Sequence, residues 1–118
     1  MKRRAIVLIL AILVIALALI LGYQRRIQFE FYSWDLSSQS LATREMSATS
    51  IIQMGNYAVP ILIGKLDHPY IFETAYDVYC LEEITKAELT YDRGHFDMER
   101  EAIPFWKDWW KKNEQRFE

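Results

Sequence analysis

The apolar run near the start of the chain limits how this protein can fold more than any other feature. The stretch "AIVLILAILVIALALILGY" fills residues 5–23 without a charged or strongly polar side chain. As a helix that rises 1.5 Å per residue it reaches roughly 28 Å, close to the thickness of the hydrocarbon core of a bilayer. Tyr23 lies at its far end, where an amphipathic ring suits the membrane interface. We therefore predict a transmembrane helix over residues 5–23, preceded by a short N-terminal segment, residues 1–4.

A cleaved signal peptide is the alternative interpretation of this run. The apolar core of a signal peptide spans about 7–15 residues and leads to an A-x-A-like cleavage site. Here the run is longer, and its only such triplet, residues 16–18, lies inside it. The sequence therefore favours an uncleaved signal-anchor.

Basic residues on the two sides of the run predict its orientation. Lys2, Arg3 and Arg4 precede it together with the terminal amine, and Arg25 and Arg26 follow it. Because the more basic side stays in the cytoplasm, we expect a cytoplasmic N-terminus and an extracytoplasmic C-terminal domain, as in a bacterial cell envelope.

The charge of the rest of the chain bears on its partners. Residues 24–118 hold eleven Lys and Arg against sixteen Asp and Glu, a net charge of −5. Nucleic-acid binding demands a basic footprint, so nucleic acid is not an expected partner. The bilayer and an unidentified protein are the partners that we predict.

A single cysteine, Cys80, rules out an internal disulfide. A domain outside the cytoplasm would therefore have to fold on core packing alone. Cys80 lies among apolar positions of a helical pattern, so we interpret it as a small buried core residue. Fewer than a hundred residues can bury only one modest core.

The segment after the apolar run is ambiguous. In "IQFEFYSW", residues 27–34, Ile27, Phe31 and Trp34 fit helical spacing, while Ile27, Phe29 and Phe31 alternate as in a strand. We expect a helical continuation or an extended stalk over residues 24–38.

The sequence of residues 39–118 predicts a small domain of about four helices. Ser37, Ser38 or Ser40 can cap the first helix, and Gly55 can end it in the left-handed conformation. The expected inward residues of this helix are Leu41, Ala48, Ile51 and Ile52.

A second helix follows after a two-residue turn. Asn56 is its expected N-cap, and Pro60 is acceptable only near the first turn. The predicted apolar stripe is Val59, Leu62, Ile63 and Leu66.

The third helix is predicted from "DHPY". Asp67 or His68 would cap it, and Pro69 would take the first helical position. Its amphipathic stripe consists of Ile71, Ala75, Val78, Leu81 and Ile84. A loop over residues 85–98 comes next.

The final helix is predicted from about Glu99 to Glu114, and Pro104 indicates a true start nearer Ala102. Its apolar face carries Ile103, Trp106, Trp109 and Trp110, and its opposite side carries Lys107, Asp108, Lys111 and Lys112. The aromatic face can pack on the third helix, contact a protein partner or insert into the membrane surface. The sequence favours packing, and the candidate interaction surface is Phe105, Trp106, Trp109 and Trp110.

Three segments resemble bacterial HEAT-like repeat proteins. "MGNYAVPILIGKL", residues 54–66, is similar to the second half of a repeat, and "CLEEIT", residues 80–85, looks like the end of the next repeat's first helix. "FWKDWWKKN", residues 105–113, is similar to the W-x-x-W-W segment that follows in such proteins. The resemblance implies a HEAT-like domain of one and a half to two repeats, which supplies a binding surface rather than chemistry.

Residues suited to catalysis are few. The stretch "YDRGHFDME" gathers Asp92, His95, Asp97 and Glu99, types that can bind a metal, but the spacing matches no ligand pattern. We predict no catalytic residue, no metal and no cofactor. Two functions remain: a membrane-tethered protein-interaction module without catalytic activity, or a small accessory subunit of a membrane complex that acts mainly through its transmembrane helix.

Overall fold

The computed structural model describes residues 2–67, 71–93 and 97–117. Over these residues the chain forms five α-helices and no β-strand, which confirms the all-α class. The helices are α1 (Lys2–Asp35), α2 (Leu41–Gln53), α3 (Ala58–Lys65), α4 (Ile71–Thr85) and α5 (Ile103–Asn113). Four of them follow the apolar N-terminal helix, as predicted.

Helix α1 is long and apolar enough to cross a membrane. Its large apolar side chains between Ile6 and Leu21 are 53–68% exposed, as expected of a helix whose surroundings are lipid. The helix does not end at Tyr23 but continues to Asp35, so the ambiguous residues 27–34 are helical. An ion pair between Arg26 and Glu30, one turn apart at 3.0 Å, supports this extension.

The contacts divide the chain into two compact units, residues up to 31 and residues from 32 onward. The second unit thus begins at Tyr32, ahead of the boundary predicted at residue 39. The physical reason is burial: Ser33 and Leu36 are almost completely buried, and the Ser33 hydroxyl donates a hydrogen bond to Glu73 Oε1 at 2.8 Å. The residues from 32 to 38 are therefore part of the domain, whereas the sequence assigned them to a stalk.

Helix α2 starts and stops at the predicted signals. Ser40 is its N-cap, and its Oγ accepts a hydrogen bond from the Thr43 N–H at 3.3 Å. Gly55 follows the helix with φ +63°, the left-handed conformation that glycine tolerates. The buried face of α2 differs from the predicted one at Leu41, which is 56% exposed in the first turn. The contact with α4 lies further along the helix, at Ala48.

Helix α3 buries its predicted stripe completely, since Val59, Leu62, Ile63 and Leu66 are all in the core. The expected cap at Asn56 is wrong. A 3₁₀ turn, Gly55–Tyr57, runs directly into α3, and the residue before the helix, Tyr57, already has helical dihedrals and makes no side-chain cap bond. The connection is therefore a continuous turn rather than a two-residue linker with a new cap.

Helix α4 packs on both α2 and α3, and this widens its buried face. Val78 and Leu81 are buried as predicted, but Ala75 is exposed and Ile84 is only half-buried. The additional buried residues are Thr74, Asp77, Cys80 and Glu82. Of the predicted start of this helix, the alternative cap His68 and the first helical residue Pro69 lie outside the described residues, as does the side chain of Ile71.

A π-helical turn, Met98–Ala102, precedes α5, so the regular helix begins close to Ala102 and not at Glu99. Helix α5 lies beside α3, whereas the sequence placed it against the third helix. An ion pair between Lys107 and Asp67 joins it to the turn after α3. The hydroxyl of Tyr91, in the preceding loop, is hydrogen-bonded to Trp106 of α5 and to Glu82 of α4.

Candidate functional site

An aromatic cluster surrounds α5 and is the most distinctive feature of the domain. Successive rings lie 5.2–5.9 Å apart between centroids, mostly in the edge-to-face or tilted arrangements that aromatic pairs prefer. The members of the cluster are Tyr91, Phe105, Trp106, Trp109, Trp110 and Phe117. Of the four residues predicted as an interaction surface, Phe105 and Trp109 make ring contacts with Trp106, and Trp110 contacts Phe117.

Trp106 belongs to the core and not to the surface. Its side chain is fully buried, and its Nε1–H donates a hydrogen bond to the Tyr91 hydroxyl at 2.7 Å. Because its one polar atom is satisfied inside the protein, the ring has nothing left to offer a partner. Its inclusion in the predicted interaction surface is wrong for this reason. Phe105, Trp109 and Trp110 remain half-buried, so each still presents part of its ring to solvent.

Tyr91 connects α5 to α4 through a relay of hydrogen bonds. Its hydroxyl accepts from Trp106 and donates to Glu82 Oε1 at 2.8 Å, and Glu82 Oε2 pairs with Arg93 Nε at 2.7 Å. Burial, followed by the Glu82 carboxylate, raises the pKa of Tyr91 above its usual range. The phenol therefore stays protonated and keeps donating to Glu82, which fixes the loop between the two helices.

A groove of about 560 Å³ opens along one side of this cluster. Its lining residues are Glu88, Thr90, Tyr91, Arg100, Glu101, Pro104, Phe105, Asp108, Trp109 and Lys112. The ring faces of Phe105 and Trp109 together with Pro104 provide an apolar wall. We call this feature the α5 groove.

The charged residues that line the α5 groove give it an acidic character. Lys112 is paired with Asp108 at 3.0 Å, and Arg100 reaches Asp97 at 3.7 Å. Glu88 and Glu101 form no ion pair with any described residue. Two carboxylates beside an aromatic wall suit a positively charged, partly apolar ligand, because a cation gains from both the carboxylate and the π-face.

The acidic loop that could have bound a metal has a structural role at Asp97. Its Oδ1 accepts hydrogen bonds from the backbone N–H groups of Glu99 and Arg100, at 3.1 and 3.3 Å, and so caps the turn before α5. Asp92 is exposed, and His95 lies outside the described residues. In the described part of the chain, no group of three potential metal ligands comes together. The absence of a metal and of a cofactor remains a prediction.

Asp77 is a buried carboxyl that sequence reasoning did not find. It is 1% exposed on α4, and among the described residues its Oδ1 has no hydrogen-bond partner. Burial, and then the nearby charge of Glu73, raise its pKa to about 8, while the charge of Lys65 opposes this shift. The one sequence signal for the burial of Asp77 is its position three residues before Cys80 on the same helix. This helix buries more than one face. Asp77 lines neither the α5 groove nor the groove between α2 and α4.

Cys80 is the small core residue that the sequence predicts. It is fully buried, its thiol lies 3.7 Å from the carbonyl oxygen of Ala48 as a weak donor, and burial raises its pKa to about 12. Nucleophilic thiols need a lowered pKa and access, and Cys80 has neither.

A second groove, of about 420 Å³, lies between α2 and α4. It is lined by Glu45, Ala48, Thr49, Ala75, Tyr76 and Tyr79. The guanidinium of Arg44 stands over the Tyr76 ring at 5.9 Å from the centroid. The sequence did not predict this groove, because it placed Ala75 in the core.

No protein-family model, curated protein or solved structure matches this chain. The resemblance to HEAT-like repeats therefore stays a prediction from the sequence.

Proposed function

We propose that this protein is a membrane-anchored protein-interaction module without catalytic activity. In this proposal α1 crosses the bilayer once, with Lys2, Arg3 and Arg4 in the cytoplasm, and the helical domain holds a protein partner on the other side. The observation that carries the proposal is the α5 groove, a half-exposed aromatic surface on a domain that follows an apolar helix.

The anchor rests on the exposure and length of α1. Thirteen large apolar side chains between Ile6 and Leu21 are more than half exposed, and soluble proteins rarely leave a contiguous apolar surface of this kind in water. A bilayer can cover this surface because the backbone hydrogen bonds of a helix are already satisfied within the helix. Basic residues on both sides of the run then define the depth of the helix.

The α5 groove favours a partner segment that carries Lys or Arg next to an apolar side chain. The cation would lie between Glu88, Glu101 and the Trp109 ring, while the apolar side chain would contact Phe105 and Pro104. Burial of Trp106 behind this wall makes the groove rigid, which lowers the entropy cost of binding.

The HEAT-like resemblance of residues 54–66 and 105–113 supports the same class of function. Helical repeats of this kind contribute surfaces rather than reactions. Two described residues of catalytic type have structural roles here, because Asp97 acts as a helix cap and Cys80 is buried.

The test is crosslinked affinity purification of the full-length, tagged protein from its own membranes, followed by mass spectrometry of the crosslinked peptides. We expect one stoichiometric partner whose crosslinked segment contains Lys or Arg. Trp109→Ala should release it, and so should the double charge reversal Glu88→Lys with Glu101→Lys, since both remove groups that line the groove.

Trp110→Ala is the matched control. Trp110 is adjacent to Trp109 and equally half-buried, but it does not line the groove, so its loss should leave the partner bound. Near-ultraviolet circular dichroism would establish that all variants remain folded. Retention of the partner by Trp109→Ala and by the charge reversal, or equal loss with Trp110→Ala, would contradict the assignment of the groove.

The accessory-subunit function is favoured by one observation of its own. The apolar side chains of α1 are exposed all around the helix, so its surface is available to other membrane helices as well as to lipid. Replacing residues 5–23 with an unrelated apolar helix separates the two functions. Loss of the partner would favour the accessory subunit, and its retention would favour the interaction module.

A further inference from the structure

Helix α4 buries a carboxyl group that takes no part in the proposed binding surface. Asp77 is 1% exposed, and its Oδ1 has no hydrogen-bond partner among the described residues. An ionised carboxylate is costly in such a place, because burial removes its water and no donor replaces that water. The side chain therefore fits inside the domain only while it holds a proton.

A second carboxyl lies one helical turn before Asp77. Glu73 and Asp77 are four residues apart on α4, so they share one side of the helix. Glu73 Oε1 accepts the hydrogen bond of the Ser33 hydroxyl at 2.8 Å, and Ser33 is itself 2% exposed in the last turn of α1. The Asp77 proton thus lies next to the contact between the last turn of α1 and α4.

The charges around Asp77 do not keep it ionised. Helices α2 and α3 and the 3₁₀ turn between them pack on α4. The charge of Lys65, at the end of α3, opposes the rise in the pKa of Asp77, but burial and the Glu73 charge outweigh it. Arg44 of α2 is directed to the Tyr76 ring instead, at 5.9 Å from its centroid. The other titratable side chains of these elements and of the last turn of α1, none of which carries a positive charge, are Tyr32, Asp35, Glu45 and Tyr57.

The two ends of α4 are held in different ways. The loop that follows α4 fixes its C-terminal end, because Glu82 accepts a hydrogen bond from Tyr91 and pairs with Arg93 at 2.7 Å. Among the described residues, the part before Glu82 has two side-chain hydrogen bonds to other elements, one from Ser33 and one weak bond from a thiol to α2. Loss of the Asp77 proton therefore acts on the part of α4 that the loop does not hold.

We propose that Asp77 is a proton-dependent switch in the fold. With its proton, Asp77 stays buried and α4 stays packed on its neighbours. Without it, the part of α4 before Glu82 separates from α2 and α3, Asp77 reaches water, and the bond between Ser33 and Glu73 is lost. This switch does not involve the α5 groove, because neither Asp77 nor Glu73 lines it.

The direction of the switch follows from the two forms of Asp77. In the open form the carboxyl has its ordinary pKa, near 3.8, and in the closed form its pKa is about 8. The closed form is therefore fully favoured below pH 3.8 and loses this advantage as the pH rises to 8. Between these values the ratio of open to closed molecules grows by up to about tenfold per pH unit, and above pH 8 it is constant.

The native cysteine reports the opening. Cys80 is buried one turn after Asp77, with its thiol 3.7 Å from the Ala48 carbonyl oxygen of α2, so iodoacetamide reaches it only after α4 leaves α2. The full-length protein in a mild detergent is alkylated at pH values from 5 to 9, and the product is measured by mass spectrometry. Asp77→Asn is the reference, since it has the same thiol, with the same dependence of thiolate on pH, and no carboxyl proton to lose.

We expect the alkylation rate of the parent chain, divided by that of Asp77→Asn, to rise by up to about tenfold per pH unit and to level off near pH 8. Ser33→Ala removes a bond that is lost on opening, so it should raise the rate about threefold or more at every pH and leave the slope unchanged. A ratio that does not vary with pH would overturn the switch, and so would a Ser33→Ala rate equal to that of the parent chain.

Urea distinguishes this local opening from unfolding of the whole domain, in the parent chain itself. Global unfolding exposes much more surface than a local opening, so its equilibrium constant depends more steeply on urea. At pH 8, low concentrations of urea should accelerate the alkylation of Cys80 less than half as steeply as they raise the equilibrium constant of global unfolding, followed by tryptophan fluorescence. Equal steepness would mean that Asp77 loses its proton only when the whole domain unfolds, which overturns the switch.

Discussion

Replacing Asp77 with asparagine should make this protein more stable at neutral pH, because it removes an ionisable carboxyl from the interior. Asp77 is 1% exposed and its pKa is raised from 3.8 to about 8, by burial first and by the charge of Glu73 second. At pH 7 the folded protein therefore keeps the proton on this carboxyl, and the unfolded chain has lost it. Folding must take up a proton that is scarce at this pH.

The magnitude follows from the interval between the unfolded pKa and the working pH. A group whose pKa is raised in the folded state contributes its full stability below the unfolded pKa, near 3.8, and loses it as the pH rises toward 8. Each pKa unit corresponds to about 1.4 kcal/mol, so roughly 4 kcal/mol is lost between pH 3.8 and pH 7. Asparagine has nearly the same shape and no proton to take up. We expect Asp77→Asn to raise the free energy of unfolding at pH 7 by about 1–4 kcal/mol and to have almost no effect at pH 4.

The assay is urea unfolding of the full-length protein in a mild detergent, followed by tryptophan fluorescence, at pH values from 4 to 9. Asp108→Asn is the control, since Asp108 is exposed and its pair with Lys112 should contribute less than about 1 kcal/mol at any pH. A loss of stability on Asp77→Asn at pH 7, or an equal difference from the parent protein at pH 4 and pH 9, would contradict a raised pKa of Asp77.

Four further substitutions test individual contacts by thermal or urea unfolding. Gly55→Val forces a branched side chain into φ +63° and should cost about 1–2 kcal/mol; an unchanged melting temperature would count against the left-handed cap. Tyr91→Phe leaves the buried Trp106 N–H and the Glu82 carboxylate without their partner and should cost about 1–3 kcal/mol, so a neutral result would mean that the relay is not formed. Trp106→Ala should cost about 3–5 kcal/mol; a loss as small as that of Trp110→Ala would place both rings at the surface. Lys86→Gly relieves a left-handed conformation, φ +52°, at the end of α4 and should stabilise by about 1 kcal/mol, with a lower midpoint as the contrary outcome.

The features that sequence predicts well here are local. Ser40 caps α2 and Gly55 ends it because both act on backbone groups a few residues away. The stripe of α3 is also correct, since Val59, Leu62, Ile63 and Leu66 are all buried. Asn56 fails as a cap because a continuous 3₁₀ turn occupies the place where a separate helix start was expected.

The features that sequence misses depend on the arrangement of the helices. Helix α4 buries Asp77 as well as Leu81 because it packs on two neighbours, and a single amphipathic stripe cannot indicate this. Spacing places Trp106 and Trp109 on adjoining faces of α5 but does not say which face meets the core. That choice depends on Tyr91, fifteen residues before Trp106, whose hydroxyl reaches α4 only in the folded domain.

The position of Trp106 in the chain has a consequence for biosynthesis. The core residues of the domain begin at Leu36, and the ring in its interior is supplied only at residue 106. At synthesis rates of about 5–20 residues per second, the chain from Leu36 to Trp106 takes roughly 4–14 s to make, and the apolar faces of α2, α3 and α4 stay incompletely covered until that ring is added. Helix α1, which ends at Asp35, is complete before this interval begins. The core of the domain is therefore completed only after α5 has been synthesised.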